Sequence, residues 1–231
     1  MQIHGFNKTT LLDYPKHLAS TIFLGSCNYR CPFCHNSSLV LMPHTLPTIH
    51  EKEVLDTLTK RKDILEGVCI TGGEPTLQKD LPDLIQAIKQ LGLKVKLDTN
   101  GSNPSVVEKL LKSNLIDYIA MDIKNSIPKY AQTIGVPNYD LAPIISTIQL
   151  IQTSGIDYEF RTTIVRELHE QEDMLAIGEW LSGSRNYYLQ SFLDSGDILS
   201  PGLHAYDRRD LIFFRDCLIP YFKNVELRRI D

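Results

Sequence analysis

Gly25-Ser-Cys-Asn-Tyr-Arg-Cys-Pro-Phe-Cys-His-Asn36 places Cys27, Cys31 and Cys34 at the spacing Cys-x3-Cys-x2-Cys. Three thiolates so spaced wrap one face of a metal cluster and leave a fourth corner open. An open corner on a metal centre is where chemistry occurs, by the logic that separates catalytic from structural zinc sites. The spacing therefore points to an enzyme ahead of a binding module. Other readings use the same residues. Cys31-Pro-Phe-Cys34 has the form of a thiol redox pair, which leaves Cys27 without a role. Cys31-x-x-Cys34-His35 matches a haem attachment site, but that needs export, and residues 1–10 show no apolar signal segment. A zinc site built on Cys27, Cys31, Cys34 and His35, or an electron-carrier module, is the non-enzyme alternative. Zinc modules bring their ligands in two separated pairs, and no second Cys or His pair follows.

The rest of the chain bounds these readings. Its 231 residues suffice for one large α/β domain, and 42% hydrophobic residues for an ordinary core. A net charge of −4 gives no sign of nucleic acid or of an anionic membrane as partner. No apolar run approaches the roughly 18 residues that span a bilayer. Five cysteines, three of them within eight residues, argue against a disulfide framework and for a cytoplasmic location. Cys69 and Cys217 lie in apolar surroundings and read as buried thiols.

Beyond a lead-in over residues 1–17, short apolar runs alternate with longer amphipathic ones across 18–231. Strands are expected at 18–24, 68–71, 94–98, 118–124, 158–165, 187–192 and 225–228, rich in β-branched and aromatic residues. Helices are expected at 49–62, 79–91, 104–113, 141–154, 171–181 and 208–222. In the second of these Leu81, Leu84, Ile85, Ile88 and Leu91 recur at helical spacing. Asn103-Pro104 is a start signal, and Gly92 and Gly155 are stop signals. The alternation implies βαβ units and a parallel sheet. Six units are too few to close an eight-strand barrel, which leaves an open partial barrel or a doubly wound sheet.

In such folds, loops at strand C-termini build the site. Thr71-Gly-Gly-Glu-Pro75, Leu97-Asp-Thr-Asn-Gly101 and Met121-Asp-Ile-Lys124 all fall there, as does the cysteine loop. Each motif alone reads equally as a turn or a solvated charge; together they gather polar groups at one end of four consecutive strands. The long loop 193–206 is a candidate rim.

On Cys27, Cys31, Phe33 and Cys34, followed by Gly72, Gly73 and Glu74, the chain resembles the radical S-adenosylmethionine (SAM) superfamily. The resemblance implies a single-domain α/β fold, a partial (β/α)6 barrel of parallel strands. It also implies a 4Fe–4S cluster on Cys27, Cys31 and Cys34, whose fourth iron is chelated by SAM. The Gly72 carbonyl and Glu74, with Gly73 between them, would accept from the SAM amine. Lys124 would pair with its carboxylate, and Phe33 and His35 would flank its adenine. Cys34-His-Asn36, Asp98-Thr99-Asn100-Gly101 and Asp122-Ile123-Lys124 are similar to the glycyl-radical-enzyme activating enzymes. In related activases the aspartates of the last two runs hold a monovalent cation, which implicates Asp98, Thr99 and Asp122. Arg161 and Gln190 are candidates for nucleoside contacts. Residues 5–15 narrow the resemblance to activators of anaerobic ribonucleoside-triphosphate reductase. Residues 37–67 contain no cysteine, which excludes the ferredoxin-like insert of some activases.

The implied reaction is reductive cleavage of SAM, then abstraction of a glycine hydrogen in a large glycyl-radical enzyme, the anaerobic ribonucleotide reductase. Electrons would come from a donor such as flavodoxin or ferredoxin. Protein-bound clusters reach about −700 mV at their lowest. The cofactor breaks the bond and the protein orients it, so no catalytic acid or base is named. The alternatives are a pyruvate formate-lyase type activase and a small-molecule radical SAM enzyme such as 7-carboxy-7-deazaguanine synthase.

Overall fold

The structure, a computed structural model, describes residues 1–194 and 196–229. Among these residues eight strands form one sheet in chain order: β1 (Ile3–Thr10), β2 (Ala19–Leu24), β3 (Gly67–Gly72), β4 (Lys94–Thr99), β5 (Tyr118–Asp122), β6 (Asp157–Ile164), β7 (Asn186–Ser191) and β8 (Asn224–Arg228). The helices are α1 (Ser37–Leu41), α2 (Glu51–Arg61), α3 (Leu81–Gln90), α4 (Pro104–Lys112), α5 (Tyr130–Thr133), α6 (Ala142–Thr153), α7 (Gln171–Trp180) and α8 (Arg208–Leu218). Every expected strand and helix is present, with ends within a few residues of expectation. Among the described residues no helix is long and apolar enough to cross a membrane.

The chain divides into two compact bodies. The first comprises Met1–Asn28, Ser38–Ala120 and Ala142–Asp157. Its core is the parallel run β2-β3-β4, whose central residues Ile22, Val68, Ile70, Val95 and Leu97 are fully buried. Near-continuous apolar strands are what a parallel sheet covered by helices requires. α3 supplies Leu81, Leu84, Ile85 and Ile88, all at zero exposure, so its apolar stripe is spent on the core. β1 pairs antiparallel with β2 from Ile3↔Leu24 to Thr10↔Ala19. The lead-in thus contains a strand that its sequence does not announce. Ile3-His-Gly-Phe-Asn-Lys-Thr-Thr10 is mostly polar and partly exposed, as an edge strand is.

The second body comprises Tyr29–Ser37, Met121–Leu141 and the described residues from Tyr158 onward. In it β6, β7 and β8 run parallel, in register from Phe160↔Tyr187 and Asn186↔Asn224. Phe160, Ile164, Tyr187 and Leu189 are buried, and Tyr187 stacks on Phe222 with centroids 4.6 Å apart. The helices α1 and α5, of five and four residues, are too short for an amphipathic period to reveal them.

Candidate active site

In the first body, the strand ends carry the start of the cysteine loop. Gly73 N–H donates to the Leu24 carbonyl at 2.8 Å, and Glu74 N–H to the Ser26 carbonyl at 2.7 Å. Ser26 N–H donates to the Leu39 carbonyl at 2.9 Å, and the Gln78 amide to the Gly25 carbonyl at 3.0 Å. The two glycines make the approach possible. A Cβ on Gly72, which has φ +118°, would overlap the Leu24 backbone, and one on Gly73 the Ser26 carbonyl. The pair therefore clamps the loop that presents Cys27, and only glycine fits. Gly73→Ala is expected to destabilise the metal-free protein by about 1–3 kcal/mol, the usual cost of overpacking against a backbone that cannot yield. Urea unfolding measures it; an unchanged midpoint would show that the clamp is slack.

Glu74 follows the glycine pair. Its side chain is fully buried and already accepts four hydrogen bonds. Thr76 N–H (3.0 Å), Thr76 Oγ1 (2.5 Å) and Thr99 Oγ1 (2.8 Å) bind Oε1, and Asn100 N–H (2.6 Å) binds Oε2. Oε1 is thus crowded with donors, while Oε2 takes one of the roughly two that a carboxylate oxygen accepts. Burial pushes the acid up, while Thr76, Asn100 and Thr99 pull it down. Its task is to tie the end of β3 to the end of β4. That tie sets Asn100, whose amide donates to Asn28 Oδ1 at 2.9 Å and lies 3.8 Å from Cys27 Sγ. The sequence marks Asn100 only as part of a polar turn. Its contact with a thiol sulfur makes it a residue the motif reading missed.

Asp98 is paired within β4. Lys96, two residues back and on the same side of β4, is 2% exposed, and its ammonium pairs directly with Asp98 Oδ1. Lys96 also donates to Cys69 Sγ at 3.8 Å, so Cys69 is buried as expected but beside a charge, not in apolar surroundings. Asp122, in the second body, is likewise paired: Arg161 Nε reaches Oδ1 at 2.5 Å and Lys124 Nζ reaches Oδ2 at 3.0 Å. Thr99 Oγ1 is engaged with Glu74 and Gly101 N–H. The aspartates expected near a monovalent cation thus each take part in an ion pair with a lysine or arginine of the protein.

The second body presents Cys31, Phe33, Cys34 and His35. Cys34 N–H closes a turn on the Cys31 carbonyl at 3.1 Å, and Arg30 N–H donates to the Ile134 carbonyl at 2.8 Å just past α5. Phe33 is 4% exposed and lies edge-on to His169, centroids 6.4 Å apart. His35 Nε2 meets the Leu193 carbonyl at 2.5 Å, and Ser200 N–H donates to the Pro32 carbonyl at 3.0 Å. The loop expected as a rim is thus latched to the cysteine segment at two places. Burial raises the Cys34 thiol, while the Asn36 backbone and the Lys124 ammonium oppose the rise.

Lys124 is held on both sides of its chain. His169, fully buried, accepts from Val165 N–H at Nδ1 (3.1 Å) and donates from Nε2 to the Lys124 carbonyl (2.8 Å). Next along, the Asn125 amide donates to the Leu168 carbonyl and the Ser126 hydroxyl to Asp173. Burial opposes the charge on Lys124, but Asp122 and Cys31 outweigh it and keep the ammonium protonated well above the usual lysine range. Burial likewise opposes ionisation of Asp122, and Arg161 and Lys124 hold it far below the usual carboxylate range.

Arg161 is thus primarily the partner of Asp122, and its guanidinium also approaches Glu159 at 4.0 Å. Arg228 of β8 clamps Glu159 with two bonds of 2.6 and 2.8 Å. Gln190 stands on β7 in register with Thr163 and Arg228. The row Arg228–Glu159–Arg161–Asp122–Lys124 alternates in sign and ends with one cation in excess.

Among the described residues no three His, Cys, Asp or Glu side chains converge as ligands of one metal ion. A cluster of several irons presents its corners farther apart than the ligands of one ion. The donor set fits it: soft thiolates suit iron–sulfur chemistry.

The mostly parallel α/β sheet, with its cysteine loop after one strand and a glycine pair after the next, defines a class of cofactor-dependent enzymes. The model of the Radical SAM superfamily matches residues 21–178. A protein of Methanocaldococcus jannaschii, whose name places it provisionally among glycyl-radical enzyme activating enzymes, is 34% identical over 82% of this chain and 79% of its own. The chain belongs to the radical SAM superfamily, on the branch of the glycyl-radical-enzyme activating enzymes. Its cofactors are a 4Fe–4S cluster and SAM, as throughout that superfamily. The pyruvate formate-lyase-activating enzyme of Streptococcus mutans is 27% identical over 71% of this chain and 66% of its own. Among solved structures, Streptococcus suis SuiB matches 90% of the chain with a TM-score of 0.70 at 19% identity, and the same protein bound to SAM gives 0.67. The chain spans about half the length of SuiB (48%), so this likeness speaks for the fold alone.

Proposed function

We propose that this protein cleaves SAM reductively and places a glycyl radical on a large partner enzyme, the anaerobic ribonucleoside-triphosphate reductase. The observation that carries the activase reading is the Methanocaldococcus relative, matched over four fifths of both chains. The segment between the cysteine loop and β3 supports the insert-free type: it holds α1, one short turn of helix and α2, and no cysteine. The choice of partner rests on the lead-in over residues 5–15.

In this reading Cys27, Cys31 and Cys34 hold the cluster, and Asn100 donates to the first of them. Gly72 and Gly73 fix the loop and let a ligand amine approach the backbone. Lys124 supplies the charge for the SAM carboxylate: Asp122 takes one of its three N–H donors. Asp98, Asp122 and Arg161 set the local potential; Phe33, His35 and Gln190 shape the surroundings of the nucleoside. When bound, the cluster and SAM supply the one-electron bond cleavage. The residues around them bind, orient and shield, and none need move a proton. A flavodoxin or ferredoxin would deliver the electron inside the cell.

The test mixes anaerobically reconstituted protein with SAM, dithionite and candidate glycyl-radical enzymes, and reads electron paramagnetic resonance. A glycyl doublet in the ribonucleotide reductase, with 5′-deoxyadenosine released, is expected. A doublet in a pyruvate formate-lyase and none in the reductase would overturn the choice of partner.

A further inference from the structure

Of the three residues between Cys27 and Cys31, Asn28 and Arg30 are exposed and Tyr29 turns inward, at 2% exposure. Tyr29 is thus the side chain that roots this span in the interior. Its hydroxyl donates to the hydroxyl of Tyr139 at 2.9 Å, and the two rings meet edge-on with centroids 5.4 Å apart. Tyr139 is half-buried and belongs to the segment that follows α5. The same segment grips the neighbouring backbone. Arg30 N–H donates to the Ile134 carbonyl at 2.8 Å, and Gly135, with φ +65°, lies where any Cβ would strike the Arg30 carbonyl. The Arg30 guanidinium folds back to donate to the Tyr29 carbonyl at 2.7 Å. Residues 134–139 thus meet the cysteine loop repeatedly, and the tyrosine pair is a contact that neither helix nor sheet requires.

We propose that Tyr139 is a positioning residue for the cluster: by holding Tyr29 it fixes the backbone that presents Cys31, before and after metal enters. This rests on the assignment of Cys31 as a cluster ligand proposed above. A ligand held in place before its metal arrives loses less freedom on binding. Groups one step out from a metal site are worth about 10–100-fold in affinity for that reason. Neither tyrosine moves a proton or an electron here.

The test compares wild type with Tyr139→Phe, which loses the hydrogen bond, and Tyr139→Leu, which loses the ring contact as well. Tyr187→Phe is the control: it forfeits a hydroxyl contact with Thr162 at 2.5 Å, in the same body, on the side of β7 that packs on Phe222. In the metal-free proteins, alkylation by iodoacetamide is followed at Cys31, 6% exposed, with Cys217 on α8 as reference. Cys31 is expected to react several-fold faster in Tyr139→Phe, faster again in Tyr139→Leu, and at the wild-type rate in Tyr187→Phe. In the anaerobically loaded proteins, loss of iron to a chelator is expected to accelerate about tenfold in Tyr139→Phe and not at all in Tyr187→Phe. Unchanged alkylation or unchanged iron loss in either Tyr139 variant overturns the proposal. So does equal acceleration in Tyr187→Phe, since general loosening then explains it, or a Tyr139→Phe protein that does not fold. Wild type that takes up no iron would overturn the ligand assignment instead, and the alkylation rates would then decide whether Tyr139 holds the loop.

Discussion

Cys31→Ala is expected to leave the anaerobically reconstituted protein colourless, its iron falling from about four per chain to background, with SAM cleavage lost to the limit of detection. Three thiolates are the whole proposed protein ligation, so removing one leaves a cube with two corners bare. No other cysteine substitutes: Cys69 is fully buried in β3 beside Lys96, and Cys217 sits on α8. The fold should tolerate the change. Cys31 is a small side chain whose backbone carbonyl, not its sulfur, closes the turn with Cys34, and a typical substitution costs about 1 kcal/mol. Circular dichroism and the metal-free melting temperature therefore serve as controls, and Cys217→Ala should load iron like wild type. Full iron content in Cys31→Ala would refute the ligand set.

Lys124→Ala separates cofactor binding from cluster binding. The variant is expected to keep its iron and to bind SAM between tenfold and a few hundredfold more weakly, since a hydrogen bond to a charged group contributes about 1.5–3 kcal/mol. The loss should be clean. Asp122 keeps Arg161 at 2.5 Å, so no buried carboxylate is stranded, and His169 still holds the position 124 carbonyl. Lys124→Arg should recover part of the affinity, because the charge matters more than the shape. Equilibrium dialysis against SAM reads the effect; wild-type affinity in Lys124→Ala would remove the residue from the site.

Most of the fold was legible in the sequence because parallel strands and their covering helices obey strong periodicities. Val68–Ile70 and Lys94–Leu97 could hardly be anything else between amphipathic helices. β1 escaped because an edge strand with one polar face carries no such run. The cysteine loop and the glycine pair were legible because their chemistry dictates spacing within one short segment. What could not be read was the pairing of charges. Lys96 looked like any strand lysine, yet it forms an ion pair with Asp98. Glu74 stands beside a glycine turn, yet three neighbouring residues donate to its oxygens. Such assignments depend on which side chains meet across strands, and local sequence is silent on that.

The alternating row of charges ties the setting of Lys124 to the docking of β8. Its far member, Arg228, lies on that strand, and Glu159 has no exposure at all. Were β8 to loosen, Glu159 would lose its two short bonds to Arg228, with the Arg161 guanidinium 4.0 Å away. A disturbance at that strand would thus be felt, two ion pairs along, at the ammonium of Lys124.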